Sequence, residues 1–183
     1  VCELDPTRRA VANDDFPGIK TYGSVGNMLR GAELDLVTII TPHNTHAKLA
    51  VQCLNAGVNV VCEKPLAITS AEVKQMLTTA KKKKVMISTF HNRRWDGDFV
   101  VLRDLIRKEK IIGRVFRIEA GFFGYGEQGT WWRSNKEVSG GAIYDWGAHF
   151  TDWILNIITD PVDWVSGYQV KNNEWRKYDH DDH

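Results

Sequence analysis

Short apolar strands alternate with helices through the first half of the chain, and this alternation constrains the fold more than any other feature. Residues 34–41 (LDLVTIIT) are a β-branched apolar run, residues 45–56 have apolar side chains at helical spacing, and residues 58–62 are apolar again. A capped helix over about 69–82 and a strand over 85–89 follow. Strand–helix–strand units in series predict an α/β fold with a parallel sheet and right-handed crossovers.

The second half of the chain has a different pattern. It predicts a helix over 95–110, an alternating strand over 115–123, a glycine-rich loop over 124–141, a buried helix over 142–158 and a strand over 162–170. We therefore expect a boundary near His91, between a βα-alternating domain of residues 1–91 and an α+β domain of residues 92–183.

The composition excludes several classes of protein. Hydrophobic residues make up 43% and charged residues 26%, as in ordinary globular domains, and 24 basic against 23 acidic side chains offer no electrostatic attraction for nucleic acid. No apolar run approaches the roughly 20 residues of a membrane helix. Cys2, Cys53 and Cys62 have no C-x-x-C spacing, which argues against a disulfide framework or zinc site and is typical of a reducing, cytoplasmic environment.

Polar side chains follow three of the predicted strands, at the edge where an open parallel sheet forms its crevice. A carboxylate such as Glu3 can hold the two hydroxyls of an adenosine ribose and repel a 2′-phosphate, which would favour NAD over NADP; the alternative is an ordinary surface glutamate. The residues that the strands deliver to this edge are Glu3, Thr41, Pro42, His43, His46, Glu63, Lys64 and Pro65.

Lys64 and the pair Asp145 and His149 are the candidates for proton chemistry. A lysine at a strand tip, partly removed from water, can exchange a proton near neutral pH, whereas the alternative is an exposed loop lysine. Pro65 restricts Lys64 to extended geometry, and the bond between them can be cis. Asp145 and His149 lie one helical turn apart, so the carboxylate can orient the imidazole as a general acid or base. The alternatives are a satisfied core pair or half of a metal site, and without further ligands nearby we expect no metal.

Two neighbouring arginines, Arg93 and Arg94, lie between a predicted strand and a predicted helix. One can face a polar ligand and the other a salt bridge, and the sequence does not assign them.

These pieces together resemble the glucose–fructose oxidoreductase, inositol dehydrogenase and rhizopine-catabolism (Gfo/Idh/MocA) family. The resemblance rests on DLVTIITPHNTHAKLAVQCLNAGVNVVCEKPLA, FHNRRWDGDF and SGGAIYDWGAHFTDW, and above all on E-K-P followed by G-G-x-x-x-D-x-G-x-H. It implies a Rossmann domain followed by an α+β substrate domain with an open sheet. It also implies NAD, with NADP possible, a sugar or polyol substrate, and a homodimer or homotetramer.

Site roles are also implied by the resemblance, residue by residue. The catalytic set is Lys64, Asp145 and His149, and substrate contacts come from Lys64, Arg93, Asp145 and His149. The residues implied to line the cofactor are Glu3, Thr41, Pro42, His43, His46, Glu63, Lys64, Asn92, Trp132 and Arg133. Position 43 departs from the family, which often has asparagine there.

The expected reaction is oxidation of a secondary alcohol, in which nicotinamide accepts a hydride and His149 or Lys64 accepts the hydroxyl proton. Three alternatives remain at this point: an NAD-dependent glycosidase of the same fold, a non-catalytic cofactor-bound sensor, and a metal hydrolase. Net release of NADH separates the first from a dehydrogenase, and sensitivity to chelator identifies the last.

The chain begins in a strand-like run over residues 1–4 and ends without a terminating element, so we expect a segment of a longer protein. A weak strand over residues 19–22 is also predicted in this upstream part of the chain. The glycine-rich turn of the family is missing from the Rossmann half, and the second domain lacks most of its sheet. We therefore expect the chain alone to bind cofactor poorly, because the pyrophosphate loses its helix N-terminus.

Overall fold

The computed structural model describes residues 1–121, 131–141 and 143–168 of the chain. Three strands form the sheet: β1 (Leu36–Ile39), β2 (Asn59–Glu63) and β3 (Ile87–Phe90). The helices are α1 (Pro6–Asp15), α2 (Val25–Gly31), α3 (His46–Asn55), α4 (Ser70–Lys83), α5 (Gly97–Arg107), α6 (Lys136–Ser139) and α7 (Ala148–Ile157). Short 3₁₀ turns cover His43–Thr45, Asn92–Trp95 and Trp132–Ser134, and a π-helical turn, Ile143–Gly147, precedes α7.

The three strands are parallel and lie in the order β1-β2-β3, as the alternating sequence pattern predicts. Cys62 of β2 pairs with Ile39 on one side and Thr89 on the other. All three strands therefore end at the same edge, and the loops that follow them lie side by side. The two strands predicted upstream reduce to a single parallel bridge between Cys2 and Tyr22.

The core lies between the sheet and helices α3 and α4. Leu54, Val60, Cys62 and Met76 have no solvent-exposed surface, and Ala47, Ala50 and Ala80 fill the close contacts around them. Helix α4 begins with the predicted capping box, in which the Thr69 hydroxyl accepts from the backbone of Glu72 and the Glu72 carboxylate accepts from Thr69. Burial and a complete cap fix the helices that support the sheet edge.

The second half differs from the predictions in three places. Residues 115–121 and 162–168 are not strands, because an alternating segment forms a strand only beside a partner that satisfies its backbone. The predicted buried helix starts as a π-helical turn, and within α7 only His149 is buried. Ile143 and Leu155 are 66% and 48% exposed, since only one face of this helix packs against the rest of the described chain.

Across the described residues, every helix is too short or too polar to cross a lipid bilayer.

Candidate active site

The loops after β1 and β2 meet residues 131–141 and 143–149 at the carboxyl edge of the sheet. The peptide bond between Lys64 and Pro65 is cis. Lys64 Nζ donates to the backbone oxygen of Asp145 over 3.0 Å and to its carboxylate oxygen Oδ1. The side chain of Lys64 is only 11% exposed, so this ion pair is largely shielded from water.

Asp145 is held between two cations. Its second carboxylate oxygen, Oδ2, lies 3.3 Å from Nε of Arg133. Burial acts to raise the pKa of Asp145, but the hydrogen bond and charge of Lys64, with Arg133, prevail and lower it. The Arg133 guanidinium in turn lies 4.4 Å and 4.5 Å from the ring centres of Trp131 and Trp132. Asp145 is therefore a fixed carboxylate that orients Lys64.

The sequence suggested that Asp145 orients His149, and the structure differs. The carboxylate of Asp145 is directed to Lys64 and Arg133, whereas the ring of His149 packs 5.8 Å from Trp146 and 6.3 Å from His91. His149 is 4% exposed, and burial lowers its pKa to about 4, with the charge of Lys64 as the next cause. The His149 imidazole is therefore neutral at neutral pH.

His43 connects the end of β1 to the second half of the chain. It is 3% exposed, and its Nδ1 lies 2.7 Å from the backbone oxygen of Ser139. The Trp132 ring packs edge-on against it at 4.8 Å. Burial lowers the pKa of His43 to about 4, so the neutral ring donates its Nδ1 proton to that oxygen.

His46 lies inside the protein between two of the loops. It has no exposed surface, and its ring nitrogens Nδ1 and Nε2 each lie 2.8 Å from a backbone oxygen, of Pro65 and Thr41 respectively. In this position the ring faces the protein on all sides. We therefore propose that His46 positions the loop after β2 and does not itself contact cofactor.

The structure distinguishes the two neighbouring arginines. Arg94 forms a two-pronged ion pair with Asp152 of α7, with Nε 3.0 Å from Oδ2. Arg93 lies 4.5 Å from the ring centre of Trp146 and 3.0 Å from Asp96. Its backbone oxygen accepts from the Trp153 indole over 2.9 Å. Arg94 is thus the structural cation, and Arg93 is the one beside the site.

The other predicted site residues make contacts with their near neighbours in the chain. Glu3 Oε1 accepts from the backbone of Asp5, and Oε2 lies 3.8 Å from Arg8. The hydroxyl of Thr41 bonds that of Thr45, which donates to the backbone oxygen of Pro42. Glu63 accepts from the backbone of Lys64, and Asn92 is exposed on the turn after β3.

Gly140, just before the π-helical turn, has a φ of +88°, and a Cβ there would lie 2.8 Å from the Tyr144 ring. The glycine therefore lets this segment turn sharply and carry Asp145 to Lys64.

Sequence reasoning missed His91 and Asp152. Asp152 follows His149 by three residues and Asp145 by seven, a spacing that places it near both on one helix. His91 directly follows β3, so the strand-end argument applied to the other loops could have found it. Both residues border a cavity of about 420 Å³ beside α7. Among the described residues no three histidine, cysteine or acidic side chains are grouped to hold a metal ion.

Comparison with known proteins accounts for both halves of the chain. Residues 2–91 match the family described as "Oxidoreductase family, NAD-binding Rossmann fold", and residues 99–183 match the GFO/IDH/MocA C-terminal domain. An NAD-binding protein from Listeria innocua has a similar solved structure, with a TM-score of 0.80 and 34% identity over 86% of this chain and 46% of that one.

Two relatives show the same partial coverage. An uncharacterised oxidoreductase of Schizosaccharomyces pombe is 33% identical over 84% of this chain and 43% of its own length. The scyllo-inositol 2-dehydrogenase (NADP⁺) of Bacillus subtilis is 28% identical over 88% of this chain and 45% of its own length. The chain thus spans less than half the length of these relatives.

Proposed function

Because the chain belongs to the Gfo/Idh/MocA family of oxidoreductases, we propose that the protein transfers a hydride between a nicotinamide cofactor and a secondary alcohol of a sugar or polyol. The observation that carries this proposal is the contact between Lys64 and Asp145, which joins the sheet edge to the segment that bears His149. Similarity to a scyllo-inositol dehydrogenase supports the inositol-type substrate.

The chemistry of the strand-end residues fits a nicotinamide dinucleotide. Three parallel strands end at one edge, where a Rossmann domain holds its cofactor, and the Lys64 ammonium stands there. Glu3 would hold the ribose hydroxyls, and Thr41, Pro42, Glu63, Asn92, Trp132 and Arg133 would surround the remainder, whereas the inward-facing His43 would position Trp132. When bound, the cofactor supplies the hydride acceptor.

His149 serves as the proton acceptor in this proposal. A histidine whose pKa is lowered to about 4, chiefly by burial, is neutral at pH 7 and has a free nitrogen lone pair for the substrate hydroxyl. Lys64, oriented by Asp145, holds the substrate oxygen and stabilises the negative charge that develops as the proton leaves. Arg93 lies close enough to His149 to lower its pKa and would contact other substrate oxygens.

We further propose that residues 1–91 are the dinucleotide domain and that residues 92–183 contribute to substrate binding and oligomer contacts. A homodimer or homotetramer is the expected assembly of the full-length protein.

The decisive experiment uses the full-length protein with NAD or NADP and a panel of inositols and aldoses, following absorbance of the reduced cofactor. We expect Lys64→Ala to lower kcat by about 10²- to 10⁴-fold while the Kd for NADH stays nearly unchanged, because Lys64 acts mainly on the reacting oxygen. Lys74→Ala, on the exposed face of α4, is the matched control and should retain wild-type turnover. Wild-type turnover in Lys64→Ala, or no reduced cofactor with any polyol, would contradict the proposal.

A further inference from the structure

His91 stands next to the proposed proton acceptor. It directly follows β3, and its ring centre lies 6.3 Å from that of His149, with the two rings nearly perpendicular at 83°. Two imidazoles that hydrogen-bond directly have closer ring centres than this, so a proton passing between the two rings would need a bridging water molecule. The two imidazoles are therefore neighbours that can exchange a proton through solvent.

One ring nitrogen of His91 is available for such a role. Its Nδ1 is buried, and within the described part of the chain nothing hydrogen-bonds to it. Buried polar atoms are normally satisfied, so an exception calls for an explanation, of which an ordered water is one. The same residue borders the 420 Å³ cavity, together with Tyr144, Thr151 and Asp152. His91 therefore neighbours both His149 and the cavity.

A proton on His149 needs a route to solvent. His149 is 4% exposed, so a proton that it takes from substrate has little direct access to solvent. The charges of Lys64 and Arg93 oppose a lasting positive charge on the ring, which favours passing the proton onward.

The charged groups that act on His91 come from α7, from its own turn and from the end of β2. Asp152 of α7 favours a positive charge on the ring, and Glu63 at the end of β2 acts in the same direction. Arg94 on its own turn and Lys64 after β2 oppose it. Burial is the largest influence and lowers the pKa of His91.

We propose that His91 relays the substrate proton from His149 to water in the cavity beside α7. This inference rests on the proposed function. As the alcohol is oxidised, the hydride leaves its carbon with two electrons for the nicotinamide, the O–H bond breaks, and the carbonyl forms. The O–H proton passes to His149, through a bridging water to His91, and then to solvent. In the reverse reaction it returns by the same route.

Two variants separate a relay from a packing role. His91→Ala opens space at the ring position, whereas His91→Phe keeps an aromatic ring against His149 but cannot carry a proton. General acid–base groups contribute about 10²- to 10⁴-fold, and for a residue one step further out we expect kcat to fall roughly tenfold in both variants. Added imidazole should restore turnover in His91→Ala, where it can occupy the vacated space, but not in His91→Phe. The Kd for NADH should match wild type in both.

Measurements of turnover in the full-length enzyme decide between a relay and a packing role. Wild-type turnover in His91→Phe would show that His91 acts by packing alone and would overturn the relay. A loss of turnover in His91→Ala that added imidazole does not reverse would overturn it too. Wild-type turnover in both variants would overturn it as well. If the wild-type protein oxidises no polyol, the proposed function fails and the relay falls with it, so the wild-type assay tells the two failures apart.

Discussion

The two halves of the molecule are held together in different ways. Around β1–β3, apolar side chains with no exposed surface fill the space between the sheet and two helices. Within α7 itself the one buried residue is His149, and Leu155 is 48% exposed, as is 66% of Ile143 in the turn before it. Helix α7 is joined to the rest of the described chain by ion pairs and ring contacts, chiefly Arg94 with Asp152 and Phe99 stacked on Trp153 at 5.2 Å.

Stability and chemistry are therefore separated along the chain. The first half forms its own core and offers strand ends as a rigid edge. The second half brings polar groups to that edge, so its attachment and the proposed active site share residues such as Asp145. Changes in the first half should therefore act on folding, and changes at α7 on the geometry of the site.

The largest expected effect on stability is at the core of the first half. Leu54→Ala should lower the free energy of unfolding by about 3 kcal/mol, because it leaves a cavity under α3. Leu155→Ala, at a position 48% exposed, should cost less than about 1 kcal/mol. Urea denaturation followed by circular dichroism measures both. Equal losses would remove the contrast between the halves.

A second prediction concerns pH and the histidine that joins the halves. The pKa of His43 is lowered to about 4, chiefly by burial. Below about pH 6.5, His43 is therefore protonated in the unfolded chain but still neutral in the folded chain. Stability should thus be full above pH 6.5 and decline as pH falls toward 4, with His43 contributing about 2 kcal/mol of that decline. His149 acts in the same direction.

The matched variant is His43→Asn, whose amide can still donate to the Ser139 oxygen but does not titrate. We expect its loss of stability between pH 7 and pH 4.5 to be smaller than that of wild type, as measured by denaturation at each pH. Parallel curves for the two proteins would rule out a role for His43.

The smallest expected effect is the coupling between Arg94 and Asp152. In a double-mutant cycle with Arg94→Met and Asp152→Asn, we expect a coupling energy of about 1 kcal/mol, since Asp152 is only 11% exposed. The exposed pair of Lys108 and Asp104 is the control and should give less than about 0.5 kcal/mol. A coupling no greater than that of the control would mean that this ion pair contributes no more to holding α7 than an exposed pair does.

Much of the fold could be predicted because its signals are local. Apolar runs, the Thr69 capping box and helical spacing identify the strands and helices of the first half. The predicted strand at 115–123 failed over its described residues because alternation alone does not supply a pairing partner; residues 122 and 123 lie outside the described residues, as do 169 and 170 of the strand predicted at 162–170.

The site was predictable in part. Strand-end reasoning points to Lys64, and helical spacing to Asp145 and His149. The spacing argument assigned Asp145 to the wrong partner, since a carboxylate one turn from an imidazole can equally turn toward a lysine 81 residues away. Arg93 and Arg94 are chemically equal in the sequence, and only their positions against α7 distinguish them.

By itself, the sequence determined the parallel sheet, its supporting helices and the edge at which reactive side chains gather, because these follow from periodicity, caps and strand direction over short stretches. Only the tertiary structure decided which charged groups pair, that His46 and His43 face inward, and that His91 stands beside His149 at a cavity. Those outcomes depend on distances between residues remote in the chain, which the packing of α7 against the sheet edge sets and no local pattern encodes.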